Sequence, residues 1–560
     1  MASLIDARRL IGAVQSVSGN TVWCSLADAS APARTVLGER VQNGEVGQFV
    51  LIDADSSRLL GRVVEIRALR ADLVRREERG GGVPADARVQ LLGTLAGDGR
   101  VGRGVDRYPL VGANVYAARA ASVRDAVATD GTTSVRIGSF GTKELPVDVP
   151  VQALFARHLA VLGATGGGKS WTVARLAEAV AELGGRMVLL DPTGEYASLS
   201  NGVRHLVIGD DRANRTSSDV PHYHMRDIDR IAFFSPSSGV QLPRMRAAIR
   251  RLRLAHAAAT HETHSTVVSE DGCVRVESAT LITVETAFPG VADAEHAPFD
   301  LSNLANQLEF DVSTDGSARS VVGPLLTRIR DVLQTDDVMR VIGGGNGTDL
   351  VAEMMRWLDD GEEPILRVSL ADVPATHDLR EIVVNIIGNQ LLHRARSGAF
   401  LAAPLLLAID EAHQFIGGSI GDEDLSTQLD AFERIAREGR KYGLNLCIAT
   451  QRPSDLPPGL LSQVGMMIVH RLAEGRDRAL VEEAAAETDL DALRFLPGLR
   501  QGEAIVMGVD LPLPMTVRIA RPTDPPESVG PDYASAWPRK PRVATVRFGS
   551  PNGPDDISAV

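Results

Sequence analysis

Cysteine is scarce. The chain of 560 residues has three, Cys24, Cys273 and Cys447. They lie far apart, are odd in number and have no metal-ligand spacing, which excludes a disulfide scaffold or a cysteine-based zinc site and points to a reducing cytoplasm. No apolar run approaches the ~18 residues that a membrane span requires, so no membrane association is expected. The first residues, Met1 to Arg9, lack the basic start and long apolar centre of a secretory signal. Positive charge is not in excess either. The net charge of −13 argues against a protein that coats nucleic acid over its whole surface, while leaving room for a local basic channel. There is no D-x-E-x-K cluster and no His/Asp metal-binding set beyond the acids described below, so nothing supports an intrinsic nuclease.

What is present is the composition of a globular protein, 44% apolar and 23% charged. The length is too great for one core and predicts two to four domains. Residues 1–145 read as all-β. Segments such as Gly47–Ile52 and Leu60–Ile66 alternate, and Ser18-Gly19-Asn20 and Asp53-Ala54-Asp55-Ser56-Ser57 break them. Short strands at this spacing predict a small barrel, with the charged, glycine-rich stretch Arg70–Gly82 as one of its loops. No catalytic constellation lies there, and a docking module is the expectation.

The organising stretch follows. Gly163-Ala164-Thr165-Gly166-Gly167-Gly168-Lys169-Ser170 reads G-x-x-x-x-G-K-S. Before it, His158–Leu162 is a short apolar run of the kind a buried strand shows. After it, Val173, Leu176, Ala177, Val180 and Leu183 mark one face of a helix beginning near Trp171. Strand, glycine loop and helix together make a phosphate-binding loop. Its backbone N–H groups and the helix N-terminus cradle an anion, Lys169 reaches the β- and γ-phosphates, and Ser170 holds Mg²⁺. ATP and Mg²⁺ are the expected cofactors. The nucleotide-binding set is Gly163 through Ser170 with Trp171, joined by Asp191 and Glu195 from Asp191-Pro192-Thr193-Gly194-Glu195-Tyr196, for which a plain turn cap is the alternative reading. That motif ends the apolar strand Gly185–Leu190, on the side where open α/β sheets bind ligands.

Strands and helices alternate over 146–200 and again over 341–520, with a mostly helical insertion over 201–340. Within the insertion, Pro243–Ala259 is a helix rich in arginine (Arg244, Arg246, Arg250, Arg251, Arg253), read chiefly as a solvated face and secondarily as a phosphate-binding surface. Cys273–Thr286 is expected as a strand or hairpin, and helices are expected over Leu301–Phe310, Ser317–Leu333, Leu379–Arg396, Leu425–Lys441 and Glu482–Arg494. The apolar strand Leu405–Ile409 runs into Asp410-Glu411-Ala412-His413. After a phosphate loop, the first acid, Asp410, is expected in the Mg²⁺ shell and Glu411 beside the attacking water. Gln451, just past the strand Leu444–Ala449, is placed to sense the γ-phosphate. Gly502–Gly508 with Met515–Ile519 reads as a closing hairpin. Residues 521–560 read as an extended tail that Tyr533, Trp537 and Phe548 anchor.

Taken in order, these motifs resemble the HerA branch of the HerA/FtsK translocase superfamily. The likeness rests on Arg157–Ser170, Asp191–Tyr196, Ile409–His413, Ile435–Pro453 ending A-T-Q-R-P, and Leu496-Pro497-Gly498-Leu499 with Gln501-Gly502-Glu503-Ala504. It implies an α/β, RecA-like P-loop NTPase core behind the barrel. It implies a homo-hexameric ring around double-stranded DNA, with ATP between subunits and an arginine supplied in trans. Arg437 and Arg440 are the trans candidates, and Arg157 matches a further arginine near the nucleotide. It also implies an effector docked on the barrel, either a nuclease or, in bacterial defence operons, a sirtuin-like NADase. Two functional readings stay open: a DNA-translocating motor, and an ATPase scaffold that gates an effector with little translocation. A conjugation or secretion ATPase fits less well, for want of a membrane segment.

Overall fold

The computed structural model describes residues 6–527 apart from 37, 56, 69–82, 128–132, 142–143, 210–216, 260–267, 271, 276–277, 345–346, 418, 421–426, 458 and 487–489, together with Tyr533 and Trp537. The loop expected over Arg70–Gly82 and Phe548 lie outside the described residues.

The N-terminal strands close on themselves. Thr21–Leu26, Leu10–Ser18, Asn114–Ala117, Phe49–Ala54, Ser57–Arg67 and Ala85–Leu95 pair in that order, and Ala85–Leu95 pairs back with Thr21–Leu26. All the pairings are antiparallel. Thr21–Leu26 alternates buried and half-buried positions, which turns Val22, Cys24 and Leu26 into the barrel core with Val50, Ile52, Leu59 and Val63. Full closure removes the unpaired edges that would otherwise recruit other strands.

The barrel ends earlier than the sequence suggests. Ser134–Phe140 and Leu145–Pro150 are not barrel strands: they join the 13-stranded sheet of the core next to the hairpin Glu503–Gly508 and Met515–Ile519. Their alternation is the same as that of barrel strands, so periodicity could not assign them to a sheet. The remaining order is Val464–His470, His158–Leu162, Leu444–Thr450, Leu405–Ile409, Arg186–Asp191, Ile365–Ser369, Val203–Ile208, Ser217–Asp219 and Thr348–Asp349. These nine are parallel. The central ones are buried and mostly apolar because both sheet faces are covered; His158–Leu162 is buried at every position. The strand Leu444–Thr450 separates the phosphate-loop strand from the acid-bearing strand, which is the RecA-like arrangement.

The helix Lys169–Glu182 covers one face, where its apolar side joins Met187, Leu189, Ala408 and Ala449. The same cluster takes in Phe49, Leu51, Leu60 and Leu92 of the barrel, so the two units share one apolar core. The helix Leu379–Arg396 and the insertion cover the other face, with Trp357 fully buried among them. The arginine helix runs Gln241–Ala259. Arg244 pairs with Asp315, Arg246 with Asp227, Arg250 with Asp293 and Glu285, and Arg251 with Asp311. Arg253 donates to the carbonyls of Ala292 and Glu295. These arginines knit the insertion together and offer no free row of charge to phosphates.

Three local expectations change. Among the described residues, the run near Cys273 forms an isolated bridge, Val268 to Val274, and the helix Ser278–Ala287 follows. Packing of Val284 against Leu254, Ala258 and Ala292 overrides its strand propensity. The helix expected from Leu425 begins only at Ala431 and ends at Glu438, passing into a tighter turn over Gly439–Tyr442. The expected helix Glu482–Arg494 is two pieces, Gly475–Ala484 and Leu490–Leu493. Tyr533 and Trp537 are exposed and stack on each other with ring centroids 5.1 Å apart, so they do not bury against the core.

Candidate nucleotide site

Parallel register brings the site together. Leu162 lies opposite Thr450, Ile409 opposite Ile448, and Leu190 opposite Ile409. Strands in register end at one level, so Gly163, Asp191, Asp410 and Gln451 emerge side by side at the C-terminal edge of the sheet. That edge is where parallel α/β sheets place ligands.

The phosphate loop needs its glycines for two separate reasons. Gly166 and Gly168 have φ of 74° and 116°, a region that disfavours side chains. Gly163 has ordinary backbone angles, but a Cβ there would stand 2.6 Å from the Cβ of His470. His470 is fully buried beneath the loop. Its Nε2 meets Thr172 Oγ1 at 2.8 Å and its Nδ1 meets the Glu503 carbonyl at 2.9 Å. Burial lowers its pKa to about 4, so the ring is neutral at pH 7. The loop is also tied down by Ala164 N–H to the Arg471 carbonyl at 2.9 Å and by Gly502 N–H to the Gly167 carbonyl at 3.1 Å.

Lys169 opens the helix, is 7% exposed, and places Nζ 3.8 Å from Glu411 Oε1. Glu411 adopts a left-handed backbone at φ 45°. Its Oε2 is buried without a hydrogen-bond partner, and His413 Nδ1 stands 3.5 Å from it. Burial raises the Glu411 pKa against the lowering effect of Lys169. Asp410 is buried and its pKa is raised by burial. It accepts hydrogen bonds from Tyr196 Oη at 2.6 Å and from Glu411 N–H at 2.8 Å. Thr165 Oγ1 donates to Gln451 Oε1, so the amide lies against the phosphate loop. His413 Nδ1 meets Thr450 Oγ1 at 3.1 Å.

The two acids of the Asp191–Tyr196 motif stand in different surroundings. Asp191 Oδ1 accepts from Gly194 N–H at 2.8 Å; its Oδ2 accepts from Tyr196 N–H at 3.1 Å and Arg367 Nε at 2.7 Å. It is an internal clamp with its acceptors already used. Glu195 faces the site: burial raises its pKa, and the Ser170 side chain beside its carboxylate offsets part of that rise. Its Oε2 is buried without a partner. Trp171 carries the Arg521 guanidinium 5.7 Å from its ring centroid. Beyond Arg521, Asp524 accepts from Ser200, and Glu527 N–H donates to the Glu195 carbonyl at 2.8 Å. The described part of the tail therefore straps the motif from outside.

Ser170, Asp410, Glu195 and Glu411 form a hard-oxygen set beside a lysine, with two buried carboxylate oxygens lacking partners. Such donors suit Mg²⁺ accompanied by phosphate oxygens.

Three sequence candidates lie elsewhere. Arg157 precedes the phosphate-loop strand and pairs with Asp510 at 2.6 Å. Five residues of strand, roughly 16 Å, separate it from Gly163. Arg437 and Arg440 are exposed on the segment that leads into the N-terminal end of Leu444–Thr450. All three occupy the edge opposite the chain's own phosphate loop. Conversely, His470, Thr172 and the hydroxyl of Tyr196 stand at the site without any role having been expected for them from the sequence. A histidine ending an apolar strand carries no local signal, because its partners lie far away in the chain.

A phosphate loop, paired acids on a strand one removed from it, and a polar amide on the strand between define a P-loop nucleoside triphosphatase with a RecA-like core. Residues 135–309 match the family model of the central domain of helicase HerA. The chain is 26% identical over 425 residues to the DNA double-strand break repair helicase HerA of Saccharolobus solfataricus, covering 74% of this chain and 73% of that protein. It is 26% identical over 509 residues to the HerA of Sulfurisphaera tokodaii, covering 87% and 90%. VirB4 of Thermoanaerobacter pseudethanolicus superposes over 70% of this chain and 97% of its own at a TM-score of 0.46 and 14% identity, too distant to add to the strand order. The chain is similar to the HerA helicases over most of its length, and the protein is an ATPase.

Proposed function

We propose that this protein is an ATP-driven DNA motor that works as a homo-hexameric ring on double-stranded DNA in the cytoplasm. The observation that carries the reading is the convergence of Lys169, Ser170, Asp410, Glu411 and Gln451 on one sheet edge, with Lys169 Nζ 3.8 Å from the Glu411 carboxylate. The HerA relatives are named as DNA repair helicases, which supports DNA as the substrate to be moved. Among the described residues no helix is long and apolar enough to cross a membrane.

The chemistry is phosphoryl transfer to water. Backbone N–H groups of the loop and Lys169 bind the β- and γ-phosphates. Ser170 and Asp410 hold Mg²⁺, which when bound neutralises charge on the phosphates. Glu411, made more basic by burial, orients water and takes its proton as the water oxygen bonds to the γ-phosphorus and the bond to the bridging oxygen breaks. Gln451, held by Thr165, senses the γ-phosphate. Arg437 or Arg440 reaches the γ-phosphate of the neighbouring subunit, because each lies at the edge away from its own loop. Arginines supplied in this way accelerate hydrolysis by about 10³–10⁵-fold, which makes turnover depend on the ring. The barrel is the docking site for an effector, a nuclease or a sirtuin-like NADase, with antiphage defence as one setting.

The test is direct. Lys169→Ala and Glu411→Gln should each lower ATPase turnover at least about 100-fold while the ring, measured by light scattering, stays assembled. Undiminished turnover in either variant would sink the assignment. Mixed rings of Arg437→Ala and Glu411→Gln subunits should regain activity at doubly intact interfaces. No recovery at any mixing ratio, with Arg440→Ala behaving the same way, counts against a trans arginine.

One observation favours a scaffold that gates an effector. The arginines of Gln241–Ala259 are engaged within the insertion, and the net charge is −13. The two readings separate on duplex DNA: a motor displaces a roadblock and is stimulated by DNA, whereas a scaffold does neither.

A further inference from the structure

The strand ends carrying Asp191 and Asp410 are neighbours, so two buried carboxylates lie close together. One residue bridges them. Tyr196 is fully buried. Its backbone N–H donates to Asp191 Oδ2 at 3.1 Å, and its hydroxyl donates to Asp410 Oδ2 at 2.6 Å. The turn that presents it is over-determined. Gly194 sits at φ 84° and donates to Asp191 Oδ1 at 2.8 Å. Arg367, itself buried, closes the ion pair on Asp191 at 2.7 Å. Asp410 then has one oxygen on the phenol and the other on Glu411 N–H. Two donors on different elements fix the rotation of its carboxylate and decide which lone pairs remain for anything else.

We propose that Tyr196 is a positioning residue for the metal–nucleotide shell: its hydroxyl holds Asp410 in the orientation that receives Mg²⁺, and it touches neither nucleotide nor water. The inference rests on the reading of Asp410 as a Mg²⁺ residue. The same turn places Glu195 beside Ser170, so a single turn braces both proposed metal residues, Asp410 through the phenol and Ser170 through the carboxylate. Partners at this remove orient metal-binding side chains, and losing one typically costs 10–100-fold in metal affinity.

The experiment uses the full chain with Mn²⁺ as the probe. Binding of Mn²⁺ in the presence of ADP is measured by electron paramagnetic resonance, alongside the Mg²⁺ dependence of ATPase turnover. Tyr196→Phe removes one oxygen and keeps the ring volume. Its Mn²⁺ dissociation constant and its half-saturating Mg²⁺ should both rise about 10–100-fold. Turnover at saturating Mg²⁺ should return to within about threefold of wild type, and the KM for ATP there should be unchanged. Tyr196→Met keeps an apolar filler without the donor and should show the same metal shift. Unchanged Mn²⁺ affinity in the two variants overturns the proposal, whatever happens to turnover. The Asp410 reading is checked separately: if Asp410→Ala binds Mn²⁺·ADP as tightly as wild type, that reading fails and the Tyr196 proposal with it.

Discussion

Acidification should loosen the phosphate loop through His470 well before general acid unfolding. The ring is fully buried, and its pKa falls from 6.5 to about 4 because burial disfavours the imidazolium. The unfolded chain therefore takes up a proton near pH 6.5 that the folded chain refuses until about pH 4. Between those values the unfolded state binds more protons, so stability falls as pH falls. At pH 5 the loss is RT ln[(1 + 10^1.5)/(1 + 10^−1)], about 2 kcal/mol, approaching a limit of about 3 kcal/mol below pH 4. His222, buried in the insertion and also lowered to about 4, adds a similar amount on the far face of the sheet. Glu195, Asp410 and Glu411 oppose this: burial raises their pKa values, so protonation of the folded state offsets part of the loss. The assay is urea unfolding at pH 7.5, 6.5, 5.5 and 5.0 for wild type, His470→Gln and His222→Gln. Subtracting the variant curves isolates each histidine from the carboxylates. His470→Gln should flatten the profile by about 2 kcal/mol between pH 7.5 and 5. ATP binding by the wild type should weaken over the same range, because His470 packs under Gly163. A profile for His470→Gln that runs parallel to wild type refutes the reasoning.

Arg367→Met leaves Asp191 buried and held by two N–H donors only. Breaking a buried pair costs about 3–5 kcal/mol, and the surviving donors put this case near 3; a loss below about 1 kcal/mol in urea unfolding would show that the pair does not hold the turn. Gly163→Ala forces a methyl to 2.6 Å from the His470 Cβ. It should destabilise the core by about 1–3 kcal/mol and weaken ATP binding measured by calorimetry, with partial rescue by His470→Ala; an unperturbed variant would mean that the loop and His470 are not in close contact.

The central sheet was legible because each parallel strand is buried on both faces. Leu405–Ile409 is an unbroken apolar run, and His158–Leu162 and Leu444–Thr450 are apolar apart from His158, Asn445 and Thr450, a pattern that needs no partner to be read. The helix Leu379–Arg396 is buried nearly all round, without a break from Ile382 to Gly388, and was legible from its length and its density of apolar residues. Ser134–Pro150 shows where local pattern stops. Its alternation identifies strands and is silent on which sheet takes them, a choice made by pairing with Met515–Ile519 hundreds of residues away. The run near Cys273 failed similarly, because packing on Leu254 and Ala258 outweighed β-propensity.

The phosphate loop and paired acids were determined by the sequence alone, since each is a short segment whose chemistry lies in adjacent residues. Tertiary structure decided which groups meet. It gave the arginines of Gln241–Ala259 to partners inside the insertion and seated His470 under Gly163. It spent the Asp191 carboxylate on Arg367 and the turn, and brought the Tyr196 hydroxyl to Asp410. Those contacts join residues up to some 300 positions apart, and only strand order and register, fixed by burial across the whole sheet, bring such residues within hydrogen-bond distance.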